Sequence, residues 1–343
     1  MSRRPTIKDL AKAADVGVAT VDRALNGRIN VRRETLDKVL EAAERIGYPT
    51  RVLSARRDEA RRPVIRFGFV LHKGAQEFYR NFARELEQAV LHRQDIRGRS
   101  VIRFAASQAP EDFAKEIRDV SAQTDVLATS AINHPVLSDL VGELSHAGTP
   151  VFALLNDFAQ GVRQNYLGLN NFKVGRTAAW MITTQVRDPG KLAVFVGGNR
   201  WHGHLMRETG FQSYVREYAP AFKMVDTMVN LETRQVTYEA TLDLLDRQPD
   251  LRGIYVAGGG MEGAIAALRE TRPPGKVALV VNELTDTSRK ALMDRYATMV
   301  IATPLPDLCR DLVEMMIESV LEGQNANAGQ HFLTPQLYLP ESF

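Results

Sequence analysis

His202-Gly203-His204, Asp188-Pro189-Gly190-Lys191, Gly258-Gly259-Gly260, the lone Cys309 and an arginine-rich N-terminus are the places where residue types in this 343-residue sequence could do chemistry. Two histidines two apart lack a third ligand at close spacing, so a zinc centre is not indicated. The Asp-Pro-Gly-Lys string lacks the spacing of a phosphate-binding loop and reads as a turn into a strand. A triple glycine is more often a close strand-to-helix turn than a phosphate cradle, and no Gly-x-Ser-x-Gly nucleophile elbow is present. One cysteine can form neither an internal disulfide nor a thiolate metal site, which suits a reducing compartment. An enzyme is therefore the weaker alternative, and no metal or cofactor is expected. Charge is the stronger signal. Residues 1–62 hold 15 Lys and Arg against 9 Asp and Glu, while residues 63–343 hold 29 against 32. A small N-terminal unit at +6 beside a body at −3 fits a polyanion-binding module, because lysine and arginine contacts to phosphate supply most non-specific DNA affinity. A solvated basic surface is the alternative.

The N-terminal unit has apolar residues at helical spacing: Ile7, Leu10, Ala11 and Ala14, then Val18, Val21 and Leu25, then Leu36, Val39, Leu40, Ala43 and Ile46. Three short helices follow from this. Thr6 suits the first N-cap, and Asp15-Val16-Gly17 leaves a turn of helix-turn-helix length before the second. Gly47-Tyr48-Pro49 ends the third, with glycine just past the helix and proline beyond it. The segment after it, to Arg62, is an arginine-rich connector.

Beyond Pro63, short apolar runs alternate with amphipathic helical stretches. The runs begin at Val64–Leu71 and include Phe222–Val229, Lys276–Val281 and Thr298–Thr303; the helical stretches include Glu77–Val90 and Glu232–Leu245. Such alternation predicts right-handed crossovers and parallel, doubly wound sheets. Nine or more strands exceed one comfortable sheet, so two lobes around a cleft are expected, with Gln164–Leu169 as a crossover between them. Ligands of such sheets sit beyond the carboxyl ends of the strands, so residues following each run are the first site candidates. The expected organisation is a headpiece at 1–49, a basic linker at 50–62, and an effector and dimerisation body at 63–343. Its first lobe takes about 63–162 with 296–323, and its second about 163–295 with 324–343. With 44% hydrophobic and 25% charged residues the composition excludes a fibre or a disordered tail. No window approaches roughly 18 uninterrupted apolar residues and no apolar signal core opens the chain, so a cytoplasmic location without membrane contact is expected.

Thr6-Ile7-Lys8-Asp9-Leu10-Ala11, then Val18-Ala19-Thr20-Val21-Asp22-Arg23-Ala24-Leu25-Asn26-Gly27, Asn30-Val31, Glu34-Thr35 and Ile46-Gly47-Tyr48 together closely resemble the DNA-binding domain of lactose-repressor (LacI-type) regulators. The match runs through about fifty residues in order and spacing, and the body resembles the family's periplasmic sugar-binding-protein-like domain. The resemblance implies an all-α helix-turn-helix headpiece on a two-lobed α/β body. It also implies a homodimer on a near-palindromic double-stranded operator, with the second helix in the major groove. Position by position, Val18, Ala19 and Arg23 would face base edges, while Thr6, Thr20, Asn26, Asn30 and Thr35 would meet phosphate or brace the helices. Arg23 can pair bidentately with guanine O6 and N7, worth about 1–3 kcal/mol of discrimination, whereas Val18 and Ala19 can only touch a thymine methyl or pack on the groove wall. Asp15 and Gly17 stand where relatives have glycine and serine, and Arg32 stands at the third helix's usual serine cap, trading the cap for a phosphate contact. In the connector, the position of the family's minor-groove leucine wedge corresponds to Arg57. Leu53, four residues earlier, could serve as the wedge, Arg57 could read a narrow groove, or the segment could be a basic linker only.

For the body, the resemblance implies a small-molecule effector, a monosaccharide or polyol. Gln76, Phe78 and Tyr79 occupy the aromatic pocket segment; Asn156 and Asp157 can bond vicinal hydroxyls; Arg207 matches the sugar-binding arginine, whose five donors form a rigid fork. Gly259 lies where relatives place polar side chains, Glu283 would accept hydroxyl protons with Asn282 as its neighbour, and Thr303 stands at the end of the last run. With Asp157 and Glu283 beside one strong cation, a neutral ligand is favoured. A phosphosugar or a non-sugar metabolite, acting as inducer or corepressor, is the alternative, with Arg163 or Arg200 supplying extra charge. The expected function is a DNA-binding transcription regulator, a repressor, controlled by that ligand.

Overall fold

The computed structural model describes residues 4–25, 31–50, 62–323 and 328–343, so Asn26, Asn30, Leu53 and Arg57 lie outside the described residues. The chain divides into two compact units, Met1–Val64 with Gln94–Arg97 and Ile65–Arg93 with Gly98–Phe343. No helix among the described residues is long and apolar enough to cross a membrane.

The smaller unit is built from helices α1 (Ile7–Ala14), α2 (Val18–Leu25) and α3 (Arg33–Ile46). Their apolar stripes meet in one core that includes Leu10, Ala14, Val21, Ala24, Val39 and Ala43. Arg45 of α3 donates from Nη2 to the Ala13 carbonyl at 2.6 Å, satisfying an acceptor at the end of α1. Gly47, at φ 71°, closes α3, with the Tyr48 N–H returning to the Ala43 carbonyl at 2.8 Å.

The larger unit has two sheets. Among the described residues the first contains β1 (Val64–His72), β2 (Arg97–Ala105), β3 (Val126–Thr129), β4 (Val151–Leu154), β5 (Asn165–Leu169) and β12 (Gly329–Leu333), in the order β12-β5-β4-β3-β1-β2. The second contains β6 (Lys191–Val196), β7 (Lys223–Met224), β9 (Leu251–Val256), β10 (Ala278–Asn282), β11 (Met299–Ala302) and β13 (Gln336–Tyr338), in the order β13-β11-β10-β9-β6-β7, with β8 (Met228–Val229) also paired to β6. The pairs β1–β3, β3–β4 and β4–β5, and β6–β9, β9–β10 and β10–β11, are parallel, while β13 returns antiparallel on β11. Each sheet carries helices, α4 (Glu77–Leu91), α5 (Pro110–Ser121) and α6 (Pro135–His146) among them on the first, that close an apolar core, around Phe113, Ile117 and Leu127 in the first lobe and Phe195, Ile254 and Leu279 in the second.

The lobe boundaries differ from the sequence expectation. Gln164–Leu169 is not the crossover itself: β5 stays in the first sheet, with Phe152 opposite Asn165, and is buried along its length. The chain leaves the lobe just afterwards, where the Asn170 side chain accepts the Lys173 N–H at 3.1 Å and starts α7 (Asn171–Gln185). β11, expected in the first lobe, pairs with β10, so the second crossing falls between β11 and helix Leu305–Leu321. The third falls between β12 and β13, which separates two strands that the sequence left as a short tail. Phe222–Val229 is split into β7 and β8, with the intervening Thr227 hydroxyl turned to the Glu208 carboxylate. The helix expected from Glu232 begins at Arg234, because Leu231 and Glu232 sit at φ 51° and 53° in a left-handed turn.

Candidate functional site

In the helical unit, Thr6 caps α1 through a capping box: its hydroxyl accepts the Asp9 N–H, and the Asp9 carboxylate accepts the Thr6 N–H at 2.7 Å. Thr6 is thus committed to the helix start. Asp15 takes the left-handed position, φ 53°, that glycine would otherwise fill between α1 and α2. α2 turns Val21 and Ala24 into the core, which leaves Val18, Ala19 and Arg23 exposed on the opposite flank and Thr20 half-buried. Val18 is 42% exposed although it is apolar. Arg23 Nε donates to the Ala19 carbonyl at 3.1 Å, so its two Nη groups are the ones that can reach outward. Arg32 precedes α3 without a side-chain cap bond and is exposed, with Thr35 half-buried in the first turn. The α2 flank is therefore an exposed face carrying one forked cation and two small apolar groups.

In the larger unit a cavity of about 550 Å³ lies between the carboxyl ends of the two sheets. The first lobe lines it with Gln76, Phe78, Tyr79 and Asn156, the second with Arg207, Gly259, Asn282 and Glu283. Arg207, on α8 (His202–Tyr218), is 8% exposed. Its Nε donates to Asn171 Oδ1 and its Nη1 to the Ala257 carbonyl, each at 2.7 Å, which fixes the fork and leaves Nη2 for the cavity. Its backbone is pinned as well, because a Cβ on Gly175 of α7 would collide with the Arg207 carbonyl. Glu283 sits at φ 69° directly after β10, with its carboxylate accepting the Thr303 N–H at 2.9 Å and hydroxyl at 2.7 Å. Burial raises the Glu283 pKa, against the opposing pull of Thr303 and Arg207.

Several expected ligand groups have other partners. Asp157 does not line the cavity: it is held by Arg163 at 2.6 Å and accepts from Gln160 and Gln330, tying the β4 end to β12. A paired, buried carboxylate of this kind is a structural strut. Thr303 also lies outside the cavity and positions Glu283 from behind. Asn156 spends its amide on the Ala131 carbonyl and its oxygen on the Gly203 N–H, bridging the lobes. Asn282 accepts from Tyr255 and donates to the Ile301 carbonyl. The Gly259 N–H goes to Glu232 and its carbonyl to Asn230.

A second cluster on the cavity wall was not anticipated. Lys73 follows β1 and pairs with Glu232 at 2.9 Å; Gln108 donates to the same carboxylate oxygen at 3.3 Å; His72 and His204 stand 3.9 and 3.7 Å from the carboxylate. Burial lowers the His72 and His204 pKa values to about 4, so both rings are neutral near pH 7 and these two distances are not ion pairs. Burial alone would raise the Glu232 pKa, but Lys73, joined by the two histidines once these protonate below about pH 4, outweighs it and holds the group at about 2. The one signal available beforehand was position, since Lys73 directly follows a strand. Glu232 was hidden inside an expected helix.

Two family models match the chain: periplasmic binding protein domain over residues 67–325, and bacterial regulatory proteins, lacI family, over residues 6–50. Catabolite control protein A of Priestia megaterium is 37% identical over 92 residues, covering 26% of this chain and 27% of that protein. A protein named an uncharacterized HTH-type transcriptional regulator from Streptomyces limosus is 26% identical over 223 residues, covering 62% of this chain and 58% of its own length. The matched stretches thus span from about a quarter to three fifths of these relatives. Among solved structures, a periplasmic solute-binding protein from Actinobacillus succinogenes with bound D-allose superposes with a TM-score of 0.73 at 16% identity, over 81% of this chain and 98% of that one. That likeness is one of fold. The chain belongs to the periplasmic binding protein domain family and carries, at its N-terminus, the domain of bacterial regulatory proteins of the lacI family.

Proposed function

We propose that this protein is a cytoplasmic, sequence-specific DNA-binding transcription regulator, acting as a homodimeric repressor, whose affinity for a near-palindromic operator is set by a small neutral polyhydroxylated ligand, a monosaccharide or polyol. The observation that carries this reading is the presence in one chain of an exposed α2 flank bearing Arg23 and a cavity lined by a fixed, buried Arg207 and by Glu283. The names of the regulatory relatives support the DNA-binding half. For the ligand, the chemistry favours a neutral molecule. Lys73 is neutralised by Glu232, Arg163 is locked on Asp157, and Arg200 is exposed and outside the cavity lining. The remaining cations of the lining, Arg207 and Arg234, stand among the carboxylates Glu77, Glu262 and Glu283, so the cavity carries no surplus of positive charge for a phosphate. Arg207 Nη2 and the Glu283 carboxyl are a donor and an acceptor suited to adjacent hydroxyls, and Phe78 and Tyr79 offer apolar faces for the C–H side of a ring. Thermal unfolding of the full chain against pentoses, hexoses, polyols and their phosphates tests this. A cognate neutral ligand at about 100 times its dissociation constant stabilises by about 2.7 kcal/mol. Stabilisation by the phosphates alone would overturn the ligand class.

A further inference from the structure

We infer that the cavity wall contains a carboxylate seat, filled by the chain's own Glu232, that clasps the two lobes together. The seat is shared between lobes. Lys73 Nζ at 2.9 Å and Gln108 Nε2 at 3.3 Å reach Glu232 from the first lobe, and the Gly259 N–H at 3.2 Å reaches it from the second. The sequence is shaped around it: a Cβ on Gly197 would strike the Glu232 side chain, and one on Gly258 would strike the His204 ring beside it. Lys73 and Glu232 themselves both sit at φ 53°, a costly conformation for residues with side chains. Trp201 forms the apolar half of the clasp. It precedes α8 in the second lobe, yet it is 4% exposed within the first lobe's core, stacked on His72 at 4.7 Å, with Nε1 donating to Gln108 at 3.1 Å. Gln108 therefore joins the tryptophan to the carboxylate. Removing one partner of a buried pair leaves the other charge uncompensated, and here the expected result is a shift of the lobe equilibrium toward an open arrangement on the order of a hundredfold. The clasp thereby sets the fraction of molecules with a closed cleft, and its effect on effector affinity rests on the reading of the cavity as an effector site; the seat itself does not.

The chain has two tryptophans, and Trp180 is 46% exposed on α7, so Trp180→Phe leaves Trp201 as a single fluorescent reporter. In that background of the full chain, acrylamide quenching is measured for the parent, for Glu232→Ala and for Lys73→Met, with circular dichroism to verify that the variants are folded. Trp201 is expected to be protected in the parent and accessible in both variants. Sodium formate, which can fill a seat vacated by a carboxylate, restores protection saturably in Glu232→Ala, whereas sodium chloride at equal ionic strength does not. In Lys73→Met formate has no effect, because the cation is gone and Glu232 still occupies the space. Trp201 remaining protected in both folded variants would overturn the clasp, and exposure without formate rescue would overturn the seat. A ligand panel that finds no effector leaves this readout untouched, so the two readings fail separately.

Discussion

Arg23 is the residue on which, in the proposed function, DNA specificity turns. It is exposed on α2, its Nε is anchored to Ala19, and its outward Nη groups match the two acceptors of a guanine edge. Arg23→Ala is expected to cost about 1–3 kcal/mol at one symmetric operator position and to relax base preference there. Selection from randomised duplexes reads this directly, and an unchanged base profile would remove Arg23 from the specificity set. At the same scale, the buried histidines make stability depend on pH. Their folded pKa values, about 4, lie below the ordinary 6.5, so the unfolded chain binds more protons between these values. The stabilisation is complete above pH 6.5 and is lost as pH falls toward 4. Glu283, whose pKa burial raises, pulls the opposite way as a single group. Melting of the full chain should therefore fall as pH drops from 7 to 5. His72→Gln should flatten the dependence by up to about 1.4 kcal/mol per pH unit; an unaltered slope would show that His72 is not buried in its neutral form.

Among the elements, the struts behind the cavity are separable from its lining. Asp157→Ala would leave Arg163 buried without its carboxylate, and such a break costs about 3–5 kcal/mol. The expected result is a lower melting temperature with ligand affinity retained, whereas a selective loss of ligand binding would return Asp157 to the site. The three N-terminal helices were legible because caps, breakers and apolar spacing are local signals, as Thr6, Asp15 and Gly47 illustrate. The parallel sheets were legible from alternation, and Arg207 and Glu283, which line the cavity, were singled out by the family resemblance, Glu283 also standing directly after a strand. The sequence did not reveal that β5 remains with β4 or that β11 joins β10, since partner choice depends on contacts between distant segments. Nor did it reveal that Asn156 and Asn282 turn to backbone partners, or that Lys73 meets Glu232 across 159 positions. Glu232 was read as helical because Glu232–Leu245 has helical periodicity, and a left-handed pair at Leu231 and Glu232 leaves no compositional mark.

For the whole molecule, ligand-controlled DNA binding requires that occupation of the cavity and occupation of the headpiece be linked. Linkage is reciprocal: a ligand that weakens operator binding by some factor must itself bind more weakly to the operator-bound protein by the same factor. The clasp and the cavity lie in one two-lobed unit, so a ligand bridging Arg207 and Glu283 to the Gln76–Tyr79 segment acts on the same lobe equilibrium that Glu232 biases. The most direct measurement is a pair of titrations on the full chain: fluorescence anisotropy of a selected operator duplex with and without the neutral ligand, and calorimetry of that ligand with and without the duplex. A ligand-controlled regulator shows a salt-dependent DNA affinity that changes on ligand addition, with equal coupling factors in the two experiments. Tight binding of both partners with a coupling factor of one would contradict ligand control of DNA binding.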